Sequence, residues 1–361
     1  MSSPRRAYID WARGIAVLLM IEAHTVDAWT RVSAKEGAAF RDATILGGFA
    51  APLFLWLAGL AIVLAATRAA VRTGSRARAL EIACRRGLEV FILAFLFRLQ
   101  GLIVTPGGSL VTLFRVDVLN IMGPSMVAAG LLWAVSRTTS GRFFVLAAAT
   151  TAIAMLTPIV RASALVDALP MWLQWYVRPA GDLTIFTVFP WSGFVFAGAA
   201  VGALVAAAVD ERSERRLHAT LAAIGLALVT FGFWTAGRPS IYRVSSFWTT
   251  SPVWFAIRVG IVMVALSLIY SVAAIYAARR GRVTHPLERL GRSSLFVYWI
   301  HVELVYGYAS WLWRHRLPLW GTAIAFVAFC VLMYRAIGWR DRFVDSWRAR
   351  RGLGEARTAP A

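Results

Sequence analysis

Lysine occurs once in the 361-residue chain, at Lys35, cysteine occurs twice, and charged residues of every kind make up only 16% of the sequence. A soluble domain usually carries about 25% charged residues. That shortfall, with 59% hydrophobic residues and a positive mean hydropathy, excludes an ordinary soluble fold and points to a membrane protein. Cys84 and Cys330 both fall in or beside apolar segments, which argues against a disulfide framework or a cysteine zinc site. There is no Walker-type phosphate loop, no H-E-x-x-H pair and no cysteine cluster, so the common signatures of nucleotide and zinc hydrolases are missing. A formal charge of +20 invites a nucleic-acid reading. The arginines, however, are spread over short loops between apolar runs instead of being gathered with aromatics on one polar segment. Membrane topology accounts for them better, and no nucleic-acid partner is expected. The arginine-rich, lysine-poor composition suits a GC-rich bacterium.

What the chain does have is apolar runs of about 20 residues, the length that crosses a bilayer. They fall near residues 8–30, 44–67, 87–105, 116–136, 142–160, 184–208, 217–236, 252–277, 293–313 and 318–337. The expected fold is all-α, a polytopic integral membrane protein of about ten transmembrane helices, with residues 1–345 forming one transmembrane domain and 346–361 a disordered basic cytoplasmic tail. The segments "TRAAVRTGSRARALEIACRRG", "DERSERR", "ARRGRVTHPLERLGR" and "GWRDRFVDSWRARRG" are arginine-rich and share one side when ten spans are counted. Short cytoplasmic loops are enriched in Lys and Arg, so both termini are expected in the cytoplasm, here of a bacterial inner membrane. The start "MSSPRRAYIDWARG" leads into a segment without a small-residue cleavage site, which reads as an uncleaved first span. The segment 161–183 is either a linker lying on the membrane or the seat of a short interfacial helix.

An ionisable side chain at the centre of a spanning helix costs about 2.5–3.5 kcal/mol, so each needs a partner, a water-filled cavity or a use. Glu22, His24, Asp27, Arg98, Arg115, Asp117, Arg258, His301 and Glu303 are in that position. In the first helix Arg13 and His24 are eleven residues apart, which is about 16 Å of rise and three turns plus roughly 20°, so both lie on one face. Asp10 and Asp27 fall on nearly the same stripe, while Glu22 points away toward another helix. An arginine near one interface suits an anionic phosphate, and a histidine with a carboxylate one turn on suits proton removal from a nucleophile. Lipid snorkelling for Arg13 and a neutral interhelical hydrogen bond for His24 explain the same spacing.

The opening "IDWARGIAVLLMIEAH", with Arg13 and His24, is similar to the first-helix motif of membrane acyltransferases of the acyltransferase-3 type. With "PLFLWLAGLAIVLA", "RVDVLNIMGPSMVAAGLL", "FPWSGFVFAGAAVG" and "LGRSSLFVYWIHVELVYG", in that order, the chain resembles the heparan-alpha-glucosaminide N-acetyltransferase group and its bacterial relatives. The resemblance implies a polytopic enzyme that takes an acyl group, usually acetyl, from cytosolic acyl-CoA and passes it to a sugar across the membrane, with no metal. It also marks a departure. In the lysosomal member an asparagine stands where this chain has His24, and the active histidine lies beyond the helix, where this chain has "RVSAKEG" and no histidine. The acceptor is therefore an amine or a hydroxyl.

On this reading His24 is the general base, oriented or charged by Asp27. Arg13, Arg85, Arg86 and His301 are assigned to the acyl-CoA (acetyl-CoA) donor. For Arg85 and Arg86 the alternative is a solvated positive-inside loop, and for His301 a satisfied core histidine. Arg115, Asp117 and Asn120 are assigned to the glycan acceptor, with a structural Arg115–Asp117 ion pair as the alternative. Partners are then the lipid bilayer, acyl-CoA and an envelope glycan, and the chain is compatible with a homodimer. The stretch "GFVFAGAAVGALVAA" reads as close helix packing by small residues. The rival function is a secondary transporter or exporter of a small anionic or glycan substrate, although no Gly/Pro-broken helices stand out at matching places in two halves.

Overall fold

The computed structural model describes residues 6–104, 109–281 and 283–350. Thirteen α-helices run through them: α1 Ala7–Trp29, α2 Ala38–Gly47, α3 Ala50–Thr73, α4 Arg76–Val104, α5 Val118–Val135, α6 Thr139–Ala162, α7 Met171–Val177, α8 Val188–Ala207, α9 Glu211–Ala236, α10 Pro252–Arg280, α11 Pro286–Arg292, α12 Ser294–Tyr306 and α13 Leu319–Arg350. Among the described residues the only β pairing is two single-residue bridges, Thr30 with Leu317 and Val116 with Thr184. The fold is all-helical, as expected. Among the described residues eight helical segments are long and apolar enough to cross a membrane, and with the family reported below they make the chain an integral membrane protein.

The count of ten rests on the other two expected spans. The first of these, α1, holds Asp10, Arg13, Glu22 and Asp27 within 23 residues, and α12 is only 13 residues long. The apolar pattern does continue past Tyr306. The helix stops because Gly307 ends it and the Ser310 hydroxyl donates to the Val305 carbonyl at 2.6 Å, taking the place of a helical bond. Two interruptions are invisible in the pattern: α2 gives way to α3 at Gly48–Phe49, and α11 to α12 at Ser293. The segment 161–183 holds the seven-residue α7. At the other end of the chain, α13 runs through Arg350 and so takes in residues 346–350 of the expected tail; the rest of it, 351–361, lies outside the described residues.

Two compact units share the chain. One comprises the chain up to Ala12 together with Ala51–Val283, and the other Arg13–Ala50 together with the chain from Thr284 on. In the first unit α8 is apolar on every side and buried along most of its length, the mark of a central helix. Its glycines do what the small-residue stretch promised. A Cβ at Gly198 would run into the Trp56 carbonyl of α3, and one at Gly59 of α3 into the Val195 carbonyl of α8. Reciprocal glycines also set α4 against α5, through Gly87 and Gly123, and α9 against α10, through Gly225 and Gly260. Backbones approach this closely where side chains are removed.

In the second unit the end of α1 is bound to the segment leading into α13. His315 N–H donates to Ala28 O at 2.9 Å, Leu317 N–H to Trp29 O at 3.0 Å, and Arg31 N–H to Leu317 O at 2.8 Å. The Thr30 and Thr322 hydroxyls meet at 3.1 Å, and the Trp29 indole donates to Val305 O of α12 at 3.2 Å. These bonds seat α1 beside α12. Nearer the start of α1, Gly14 lies against the backbone of α11 at Leu287.

Candidate active site

Seating α1 against α12 brings His24 and His301 together, with His24 Nδ1 and His301 Nε2 2.9 Å apart and the two rings parallel. His301 is fully buried. Its Nδ1 lies 2.9 Å from each of two carbonyl oxygens in the preceding turn of α12, those of Val297 and Tyr298. Carbonyl oxygens only accept, so Nδ1 of His301 carries the proton. In a neutral imidazole the other nitrogen is then an acceptor, and His24 must donate its Nδ1–H to His301 Nε2. The basic lone pair of the dyad is thereby fixed on His24 Nε2. Backbone geometry in one helix has selected the tautomer of a histidine in another.

Asp27, one turn along α1, reaches His24 through an intermediary. The Tyr306 ring meets the His24 ring edge-on, with centroids 5.5 Å apart, and the Tyr306 hydroxyl donates to Asp27 Oδ2 at 2.9 Å. The sole lysine of the chain completes the arrangement. Lys35 Nζ donates to the Asp27 carbonyl at 2.6 Å and lies 3.7 Å from its Oδ1. Arg13 sits eleven residues before His24 on the same continuous helix. The Glu22 carboxylate does face another helix, meeting α2 at Gly47.

The remaining sequence candidates belong to the first unit and fall into two groups. Arg85 and Arg86 are exposed on α4 and pair with Glu89 of the same helix, at 3.2 and 3.1 Å. Such exposed pairs within one helix are what a solvated loop also shows. Asp117 and Asn120 form a capping box at the start of α5: Asp117 Oδ1 accepts from Val118 N–H at 2.7 Å, and Asn120 Oδ1 accepts from Asp117 N–H at 2.9 Å. Asp117 pairs with Arg98 of α4 at 2.6 Å. The backbone beside Arg115 is held by the Val116–Thr184 bridge. Because Arg98 pairs at the start of α5 and lies thirteen residues beyond Arg85, about 20 Å along α4, the two groups sit at opposite ends of that helix.

Sequence reasoning missed Tyr306 and Lys35, and assigned His301 to the donor. Only Lys35 carried a signal: a lone lysine eight residues after Asp27 in an arginine-rich chain. Among the described residues no three His, Cys, Asp or Glu side chains are grouped as a metal site would require.

Comparison with known families adds the chemistry. Residues 5–242 match the family described as heparan-alpha-glucosaminide N-acetyltransferase, catalytic. That stretch spans α1 to α9 and includes His24 and Asp27, whereas α12 and its His301 and Tyr306 lie beyond it. No curated protein matches the chain.

Proposed function

The chain belongs to the heparan-alpha-glucosaminide N-acetyltransferase catalytic family, and on that premise we propose that it transfers an acetyl group from cytosolic acetyl-CoA to an amino sugar or hydroxyl of an extracytoplasmic glycan, with His24 as the general base. Family membership makes it a membrane acetyltransferase; donor, acceptor and residue roles are the proposal. The observation that carries it is the hydrogen bond between His24 Nδ1 and His301 Nε2, which supports a basic Nε2 on His24.

In the proposed reaction the acceptor O–H or N–H donates to His24 Nε2 while its oxygen or nitrogen attacks the thioester carbonyl. The new C–O or C–N bond forms, the proton passes to His24, and a tetrahedral oxyanion results. The C–S bond then breaks, and the imidazolium returns its proton to the departing CoA sulfur, giving free thiol and acetylated acceptor. As His24 becomes cationic, its bond to His301 turns from neutral to charge-assisted and strengthens. His301 thus stabilises the charged state without accepting the proton. Arg13, about 16 Å away along α1, is the proposed anchor for the donor phosphates. The proposal counts α1 and α12 as spans, ten in all.

The test is release of CoA thiol from acetyl-CoA by the purified protein with an envelope-glycan extract, wild type beside His24→Ala. Release that falls by about a hundred- to ten-thousand-fold in the variant is the expected result. Equal release by both proteins would remove His24 from the chemistry.

A further inference from the structure

α13 changes character at Gly338. From Leu319 to Ile337 Arg335 is its only charged residue, whereas Arg340 to Arg350 contains four arginines and two aspartates. The apolar part is about 28 Å long, close to the ~30 Å of a bilayer's hydrocarbon core; with that part spanning the core, Gly338 would stand near the level of lipid phosphates. A groove of 660 Å³ opens there, lined by Arg289 of α11 and by Tyr334, Arg335, Gly338, Trp339 and Arg342 of α13. The Arg289 guanidinium comes close to Gly338: a Cβ there would stand 3.4 Å from it, in ordinary contact.

The charges in the groove are unbalanced. Asp341 is already bonded by Arg289 at 3.0 Å and by Arg340 at 2.6 Å, so Asp345 is the one acidic side chain left there. Arg335 and Arg342 are exposed on one face, two turns or about 10 Å apart, and make no ion pair among the described residues. Trp339, 55% exposed, stands at the groove's edge, a usual place for an indole at a membrane interface. Ile324, Val327 and Val331 continue the same helical face away from the groove into the apolar half, and all three are exposed.

We propose that this groove binds one anionic phospholipid. Its phosphate bridges Arg335 and Arg342, its glycerol region rests on Trp339, and an acyl chain follows Val331, Val327 and Ile324. The apolar track selects a lipid over a soluble anion, and the arginine excess selects an anionic headgroup over a zwitterionic one.

The experiment is native mass spectrometry of the purified full-length protein offered phosphatidylglycerol and phosphatidylcholine with the same acyl chains. Wild type should retain phosphatidylglycerol about tenfold or more over phosphatidylcholine. Arg335→Gln/Arg342→Gln should fall to parity with an unchanged melting temperature, and Arg348→Gln/Arg350→Gln, further along the helix, should keep the preference. Asp345→Asn should raise it, which tests the groove even if the double variant folds poorly. Parity in wild type, equal losses in both double variants, or displacement of the lipid by equimolar glycerol phosphate would each overturn the proposal.

Discussion

Protonating His24 converts its contact with His301 from a bond between two neutral rings into one in which the donor is charged. A hydrogen bond to a charged group is worth about 1.5–3 kcal/mol, against about 1 for a neutral one, so His301 supplies more to the transition state than to the resting enzyme. His301→Phe, which keeps an aromatic ring but removes the acceptor, should therefore lower kcat by about 2–30-fold with KM little changed. A purely structural His301 would instead lower the melting temperature and leave kcat of the folded fraction alone. Tyr306 acts one step further out, through the edge of its ring. Tyr306→Phe keeps the ring against His24 and removes only the bond to Asp27, so its activity should fall by less than about tenfold. A loss as large as that of His24→Ala would mean that the hydroxyl itself enters the reaction.

Among the helices, close approach replaces side-chain volume. At the α9–α10 crossing a Cβ on Gly260 would lie 2.6 Å from the Gly225 carbonyl oxygen, and backbone cannot swing aside as a side-chain tip can. Intrinsic propensity favours alanine over glycine in a helix by about 1 kcal/mol. Overpacking against backbone opposes that and is the larger effect, so Gly260→Ala should destabilise the detergent-solubilised protein by about 1–3 kcal/mol. At Gly237 an added methyl group would meet nothing within 4 Å, and alanine there should be tolerated within about 0.5 kcal/mol. If Gly260→Ala unfolds at higher temperature than wild type, the two helices do not meet so closely. The packing role of the α8 glycines was legible because small residues recur at helical spacing. The early start of α4 was not, since hydropathy marks where a helix enters apolar surroundings and the arginines and alanines from Arg76 extend it beyond that border.

For the molecule as a whole, the sequence declared the membrane, the all-helical class and the family, because each is written in runs of neighbouring residues. The dyad was not readable, since His24 and His301 are 277 residues apart and meet only once backbone bonds at Ala28 to Arg31 have seated α1. Topology turns on the same two helices. Suppose α1 and α12 both cross. The loops after α3, α8 and α10, the arginine at position 6 and the arginine-rich end of α13 then share one side, as the positive-inside rule asks. With only the eight longest segments crossing, the three loops stay together, but Arg6 and the end of α13 move to the opposite face. Val32, exposed just after α1, and Ser346, exposed near the end of α13, report the difference. In a Cys84→Ala/Cys330→Ala background, Val32→Cys should react with a membrane-impermeant maleimide on intact cells and Ser346→Cys only in inside-out vesicles. Labelling of both from the same side is what eight crossings require, and it would take α1, with His24, out of the bilayer.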